Sequence, residues 1–323
     1  MRFYFRCALA YTTFAFLVVL VRYGDGAQLI VAAASSHMAQ AIGYTLRWLA
    51  PCVVVIFLLL GRTAFRARLP ELFYAVAGAL VLQLGFSFLK ASIPNLVPFY
   101  ADPALADLDR WLAGGRDAWE WAYAIAPQIH ATSLLPIYLF FWSSLAIIMP
   151  SIVALSDDDP ARVRRFILLR LFVWIFIGNG LATLFSSVGP VFYDALYGGD
   201  RFVPLLVAME AAGVSETKIG VIQHYLWSGY QNNQLQLGSG ISAFPSVHVG
   251  IAAATANYLV ERHRFFLIPG AAFVAIIFYL SIYTGYHYAV DGVASLVLVL
   301  AAAHYLRRRY RADLEGAARP SGI

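Results

Sequence analysis

The chain has 323 residues, of which 61% are hydrophobic and 13% are charged, whereas soluble domains are roughly half apolar and about a quarter charged. This composition excludes a soluble globular protein and indicates an integral membrane protein. The net charge of +5 would suit nucleic acid, but the basic residues stand in clusters beside apolar runs, as topology signals do, so we expect no nucleic-acid partner. Because the apolar runs show no strand alternation, they predict an all-α polytopic fold rather than a barrel.

The apolar runs predict about eight transmembrane helices, each long enough to cross a hydrocarbon core of roughly 30 Å. Arg-rich segments follow the second, fourth, sixth and eighth helices, and the positive-inside rule assigns them and both termini to the cytoplasm. We expect the first apolar run to be an uncleaved transmembrane helix and not a signal peptide, because the small residues that a signal peptidase needs lie too far beyond it. The predicted helices cover about residues 5–22, 41–60, 71–90, 133–155, 166–187, 246–260, 265–283 and 289–306.

The stretch between the third and fourth helices predicts one or two interfacial helices. Leu105, Leu108 and Leu112 recur at helical spacing, and Trp111 and Trp119 are residue types that concentrate at headgroup depth. These helices either flank a lipid entrance or only anchor the surface, and the sequence favours neither. The expected divisions are an N-terminal hairpin over 1–70, a membrane core over 71–311 and a flexible tail over 312–323.

Asp291 is the first residue that points to chemistry, because a carboxylate in an apolar run is rare unless it is partnered or functional. His287 stands four residues earlier, on the same helix face if the segment is helical. A carboxylate bound to one ring nitrogen fixes the tautomer and leaves the other nitrogen to attack phosphorus or take a proton. The alternative is a purely structural His–Asp pair, in which the two side chains only satisfy each other's hydrogen-bonding groups between helices.

The segment AFPSVHVG predicts the start of a helix, with Pro245 at its first position. Ser246, Val247 and His248 would then present backbone N–H groups that have no intrahelical acceptor, and such a terminus binds phosphate. The alternative is an ordinary capped helix with an incidental histidine. The sixth and seventh helices form a hairpin with a short ERHR turn, so their far ends are neighbours, and His248 is expected near His287 on the non-cytoplasmic side.

Three further side chains on that side are candidates for substrate binding. Arg201 offers a bidentate grip on phosphate. Tyr193 precedes it in the same turn-rich segment, and Lys90 ends the third helix. For both cations, an exposed interfacial position without a ligand is the alternative.

A metal centre is a rival use of the two histidines and Asp291. No fourth ligand or further acidic cluster stands near them, so we expect no metal and no other cofactor. Cys7 and Cys52 fall in apolar runs without metal-ligand spacing, which argues against a disulfide framework or a zinc site.

These motifs resemble signatures of the type 2 phosphatidic acid phosphatase superfamily. PSVH followed by HYAVD is similar to its second and third signatures, and the six helices from the third onward match its helical core in order. The resemblance implies that His287 is the nucleophile, Asp291 the carboxylate that orients it and His248 the general acid. It also implies that Ser246 contacts phosphate.

The sequence departs from the superfamily pattern at several positions. Val247 replaces the glycine of the second signature, and Ser281 stands where the third has arginine. Lys90 and Pro98 have the spacing of the first signature, but they stand one hairpin too early, and we interpret that match as coincidence. PSVHVG, SxxGPxFY and YHYAVD are similar to the branch of fungal-type inositol-phosphorylceramide synthases and related inositol phosphotransferases.

What this resemblance implies is a metal-free lipid phosphotransferase with a phosphohistidine intermediate. Phosphatidylinositol is the implied donor, and ceramide or another lipid alcohol is the implied acceptor. A lipid phosphatase, in which water replaces the acceptor, is the nearest alternative, acting on a phospholipid or a polyprenyl phosphate. A transporter or structural membrane protein is an alternative of another class, which the nearly uncharged mid-membrane runs disfavour.

Overall fold

The computed structural model describes residues 1–126, 131–232 and 240–317, and every regular element in these ranges is a helix. The predicted all-α fold is therefore confirmed. In chain order the helices are α1 (Arg2–Arg22), α2 (Gly26–Leu96), α3 (Asp102–Leu112), α4 (Ala118–Ile125), α5 (Ala131–Pro136), α6 (Trp142–Ser156), α7 (Pro160–Leu171), α8 (Ala182–Leu184), α9 (Pro190–Tyr197), α10 (Val203–Ala211), α11 (Lys218–Gln231), α12 (Val247–Arg262), α13 (Leu267–Tyr283) and α14 (Ala289–Ala317), with π-helical stretches at Ile137–Phe141 and Phe172–Leu181 and a 3₁₀ turn at Arg264–Phe266.

Six helical segments of the described chain are long and apolar enough to cross a membrane, against eight predicted spans. The second and third predicted spans lie in α2 as two helices that meet at a kink at Gly61 (φ 75°, ψ 167°), directly after the predicted end of the second span. The sixth predicted span is α12, which has only 16 residues and rises about 24 Å. The six segments are Arg2–Arg22, Leu46–Leu96, Ser133–Ser156, Pro160–Leu184, Arg264–Tyr283 and Ala289–Tyr310.

The basic clusters meet at one end of the bundle. Arg68 binds Asp158 and the carbonyl of Leu155, which joins α2 to the end of α6. Arg165 of α7 and Arg307 of α14 both pair with Glu261 of α12, at 2.8 and 3.6 Å. These contacts place the Arg-rich segments at a common end, as the sequence predicts. The assignment of that end to the cytoplasm stays a prediction.

α12 lies at the centre of the bundle, in contact with α6, α7, α13 and α14. Its residues from Val249 to Ala256 are buried on every side, which suits a run of alanine, glycine and threonine because small side chains allow close helix packing. Since its neighbours shield α12 from lipid, it does not need the length of an exposed span.

α14 continues to Ala317, past the start of the predicted tail at residue 312, and residues 318–323 lie outside the described residues.

Candidate active site

His287 and Asp291 form a buried pair where α13 gives way to α14. His287 Nδ1 lies 3.1 Å from Asp291 Oδ2, and the two side chains are 6% and 0% exposed. The predicted spacing is correct, but His287 precedes α14 and Asp291 reaches back to it from the first helical turn. The same carboxylate oxygen accepts a hydrogen bond from the backbone N–H of Tyr288 at 3.0 Å. Both contacts hold the imidazole in one orientation.

His248 stands in the first turn of α12, facing this pair. Its ring centroid is 5.9 Å from that of His287, and it is stacked on Tyr138 at 4.5 Å with an interplanar angle of 17°. Trp142 lies against the ring at 4.1 Å and donates its indole N–H to the His248 carbonyl at 2.8 Å. Two aromatic rings therefore fix the imidazole of His248 within reach of a group bound at His287.

A backbone hydrogen bond ties the two motifs together. The N–H of Ser246 donates to the carbonyl of Asp291 at 3.1 Å. The Ser246 side chain is completely buried and caps α12 by accepting from Val249 N–H at 3.4 Å. The position of Ser246 thus explains how the two sequence motifs reach one place, and its hydroxyl is already engaged as a cap.

Both histidines line a cavity of about 220 Å³, which we call the catalytic cavity. Lys90, at the C-terminal part of α2, lines it as well, and its ammonium has no carboxylate partner among the described residues. The Lys90 Nζ lies 5.8 Å from the centroid of the Phe86 ring. In the sequence, Lys90 lies one hairpin before the position expected for the first superfamily signature, but the fold brings it next to the two histidines.

The other predicted substrate-binding residues occupy different places. Val247 lines a second cavity that adjoins the first. Tyr193 packs against Phe202 at a centroid distance of 5.1 Å and does not line the catalytic cavity. Arg201 pairs with Asp107 at 2.7 Å and with Asp117 at 3.2 Å, so its guanidinium is held by a structural ion-pair network.

Two buried carboxylates of α3 were missed by the sequence analysis. Asp102 accepts hydrogen bonds from the backbone N–H groups of Val188 and Gly189, both at 2.8 Å, and from the hydroxyl of Tyr288 at 3.0 Å. It thereby clamps the segment before α9 to the residue beside His287. Burial raises the pKa of Asp102, although these backbone hydrogen bonds partly lower it.

Asp109, two helical turns later, supports the same region. It accepts from Val290 N–H at 3.0 Å and from Ala118 N–H at 3.2 Å, so it caps the start of α14 and of α4. The buried face of α3 consists of Asp102, Leu105, Ala106 and Asp109, which is the helical spacing of an amphipathic face. That spacing was the signal in the sequence: two acids share the apolar face of the helix.

A glycine allows the close approach of these segments. Gly189 has φ +83°, and a Cβ there would lie 2.4 Å from the carbonyl oxygen of Tyr286. Only glycine fits this position without moving the backbone next to His287.

The surroundings of His287 favour its neutral imidazole. Burial lowers its pKa to about 3, helped by the nearby Lys90 ammonium and opposed by a hydrogen bond with the Ala243 backbone. A neutral imidazole keeps the lone pair that a nucleophile needs.

Within the described ranges, no three His, Cys, Asp or Glu side chains are grouped so that they could hold a metal ion. A larger groove of about 640 Å³ is lined by Trp48, Ile137 and Phe140 together with two cations, Arg47 and Lys218, and the described part of its wall contains no histidine or carboxylate. The reactive groups are therefore concentrated in the catalytic cavity.

A family model described as the PAP2 superfamily matches residues 103–305, which is more than half of the chain. The matched part contains His248, His287, Asp291 and Asp109, whereas Lys90 and Asp102 precede it. No curated protein and no solved structure matches the chain.

Proposed function

Since this chain belongs to the PAP2 superfamily, whose members are typically lipid phosphatases and phosphotransferases, we propose that it is a lipid phosphotransferase that uses a phosphohistidine. The observation that carries the proposal is the cavity in which His287, oriented by Asp291, faces His248 at a centroid distance of 5.9 Å. Such a gap accommodates a tetrahedral phosphate between a nucleophile and a proton donor.

The first step breaks the bond between phosphorus and the lipid alcohol of the donor. The ring nitrogen of His287 that does not bind Asp291 attacks phosphorus with its lone pair. The P–O bond to the lipid breaks, and His248, whose protonated form is favoured by the anionic phosphate bound beside it, gives its proton to the departing oxygen. The products are a free lipid alcohol, a phosphohistidine that retains the headgroup, and neutral His248.

The second step reverses the first with another alcohol. His248 takes the proton of the acceptor hydroxyl, whose oxygen attacks phosphorus while the P–N bond breaks. His287 recovers its lone pair, and His248 recovers its proton. By resemblance to the inositol-phosphorylceramide synthase branch, we propose phosphatidylinositol as donor and ceramide as acceptor, so that the transferred group is phosphoinositol.

Two features offer positive charge to the phosphate in both steps. The ammonium of Lys90, which has no carboxylate partner among the described residues, lines the catalytic cavity. His248 also lies in the first turn of α12, where the helix dipole and free backbone N–H groups favour an anion. Lys90 thus supplies a cation in a chain that lacks the arginine of the third signature.

A lipid phosphatase remains the second candidate, because His248 can remove a proton from water as readily as from an alcohol. Purified protein supplied with phosphatidylinositol labelled in its headgroup, with and without ceramide, separates the two. The phosphotransferase predicts labelled phosphoinositol-ceramide, formed only when ceramide is present. Release of inositol phosphate at a rate that ceramide does not change would support the phosphatase instead.

Histidine variants test the residue assignment in the same assay. We expect His287→Ala and His248→Ala to lose activity by at least about a hundredfold, since each removes a group that bonds to a reacting atom. His224→Ala is the matched control, because His224 is exposed on α11 and does not line the catalytic cavity. Wild-type transfer by His287→Ala protein would refute the mechanism.

A further inference from the structure

A second cavity of about 180 Å³ adjoins the catalytic cavity and shares Lys90, Gly240 and His248 with it. We call it the inner cavity. It lies between α2, α6 and the π-helical stretch Phe172–Leu181, and aromatic rings form much of its wall, with Phe86 and Trp174 at a centroid distance of 4.6 Å. These elements belong to membrane-spanning segments, so the inner cavity opens the active site toward the lipid-embedded part of the bundle.

One face of α2 brings three polar side chains to the inner cavity. Gln83, Ser87 and Lys90 stand at helical spacing and all line it. Among the described residues, none of the three has a hydrogen-bond or ion-pair partner. Polar groups within a membrane span are costly when they are left unsatisfied, and they commonly mark ligand sites.

Two other buried hydroxyls, one on α2 and one on the neighbouring α1, are satisfied by the protein itself. Ser92, 0% exposed on the same helix, donates to the carbonyl of Phe88 at 2.9 Å. Thr12 donates to the carbonyl of Val81 at 2.7 Å. Ser87 is almost as deeply buried, at 5% exposed, yet its hydroxyl has no such partner within the described chain. Ser87 therefore differs from Ser92 on the same helix, and it faces the inner cavity.

The geometry of in-line displacement at phosphorus determines which part of the substrate occupies the inner cavity. The nucleophile and the departing oxygen must lie on opposite sides of phosphorus. His287 lines the catalytic cavity and not the inner cavity, whereas His248, which protonates the departing oxygen, lines both. The departing oxygen therefore lies on the side of the inner cavity. Because the second step is the reverse of the first, the acceptor oxygen arrives from the same side.

We propose that the inner cavity is the site for the lipid alcohol, occupied first by the departing alcohol and then by the acceptor, while the headgroup stays in the catalytic cavity. This inference rests on the proposed function. Gln83 and Ser87 would bind a polar group next to the reacting hydroxyl, such as the amide of a ceramide or the ester of a diacylglycerol. The aromatic walls would contact the adjoining hydrocarbon. A lipid alcohol that carries a second polar group beside its hydroxyl is the substrate class that this chemistry selects.

The first test compares Gln83→Leu and Ser87→Ala with wild type. The measured quantity is kcat/KM for a ceramide acceptor divided by kcat/KM for a short, unfunctionalised alcohol in the same transfer reaction. Each variant is expected to lower this ratio about tenfold, as the loss of one buried hydrogen bond would. Ser92→Ala is the matched control, since its hydroxyl points to Phe88 on the same helix and lies outside the inner cavity. An unchanged ratio in Gln83→Leu and Ser87→Ala would overturn the proposal.

The second test measures binding and needs no turnover. Ser87→Cys, placed in a chain with Cys7 and Cys52 replaced by serine, is labelled with a small thiol reagent. A short-chain ceramide is expected to slow the labelling at least about fivefold, whereas inositol phosphate leaves it unchanged. Protection by inositol phosphate but not by ceramide would reverse the assignment of the two cavities, and protection by neither would refute it. If the Ser87→Cys protein shows ceramide protection while wild-type protein shows no phosphotransfer, the proposed function fails and the lipid site stands.

Discussion

Asp102→Asn tests whether the α3 carboxylates hold the active site together. In the wild type each carboxylate oxygen accepts two hydrogen bonds: Oδ1 from Gly189 N–H and the Tyr288 hydroxyl, and Oδ2 from Val188 N–H and the Tyr197 hydroxyl. Asparagine keeps one of these oxygens. Whichever is replaced by the amide nitrogen, a buried backbone N–H and a tyrosine hydroxyl lose their acceptor.

The expected loss of stability follows from these contacts. A buried donor left unsatisfied costs about 1–3 kcal/mol, and hydrogen bonds to a charged group are worth about 1.5–3 kcal/mol each. Burial raises the pKa of Asp102, so removing its charge recovers part of the desolvation cost. We therefore expect a net destabilisation of about 2–4 kcal/mol.

Activity should fall further than stability alone explains. Tyr288 is the residue after His287, and a displacement of about 1 Å at a reacting group costs about a hundredfold in rate. The assay is kcat for headgroup transfer, measured on monodisperse protein well below its unfolding temperature. We expect kcat to fall about ten- to a hundredfold with little change in KM.

Asp107→Asn is the matched control on the same helix. Its carboxylate is 75% exposed and pairs with Arg201, so its loss should cost at most about 1 kcal/mol and leave kcat unchanged. If the Asp102→Asn protein had the thermal stability and kcat of the control, the proposed role of Asp102 in holding the active site together would be refuted.

Three further outcomes follow from the site. Asp291→Asn should reduce kcat by about 10²–10⁴-fold with little change in KM, because His287 loses the group that orients it; steady-state transfer kinetics measure this. Lys90→Gln should raise the donor KM about tenfold by removing a cation from the catalytic cavity, whereas an unchanged KM would exclude Lys90 from phosphate binding. A pKa of about 3 keeps His287 neutral from about pH 5 to 7, so kcat/KM for the diester donor should not decline toward acid in that range. A profile of kcat/KM against pH that falls as the pH is lowered from about 7 to about 5 would contradict the assignment of a neutral His287 as the nucleophile.

The positions of the candidate catalytic residues were predictable because they depend on short stretches of chain. His287 and Asp291 are four residues apart at a helix start, and their contact follows from that spacing. His248 and His287 are linked through two helices and a short turn, so neighbouring helix ends followed from hairpin geometry. The apolar runs likewise predicted the helical fold, since a backbone in lipid must satisfy its own hydrogen bonds.

The residues that depend on distant packing could not be predicted in this way. Lys90 reaches the histidines from α2, which is separated from them by more than a hundred residues. Arg201 has the charge expected of a phosphate ligand, but Asp107 and Asp117 neutralise it in the fold. In both cases, the deciding contact comes from another element.

The most direct measurement of the central claim is the trapping of the covalent intermediate. Protein mixed with a donor lipid that carries radioactive phosphorus is quenched in alkali, where phosphohistidine survives, and is then digested and mapped. The mechanism predicts acid-labile label on the peptide that contains His287, removed by chasing with the acceptor alcohol and absent from His287→Ala protein. Label on another residue, or product formation by wild-type protein with no label at any time, would contradict it.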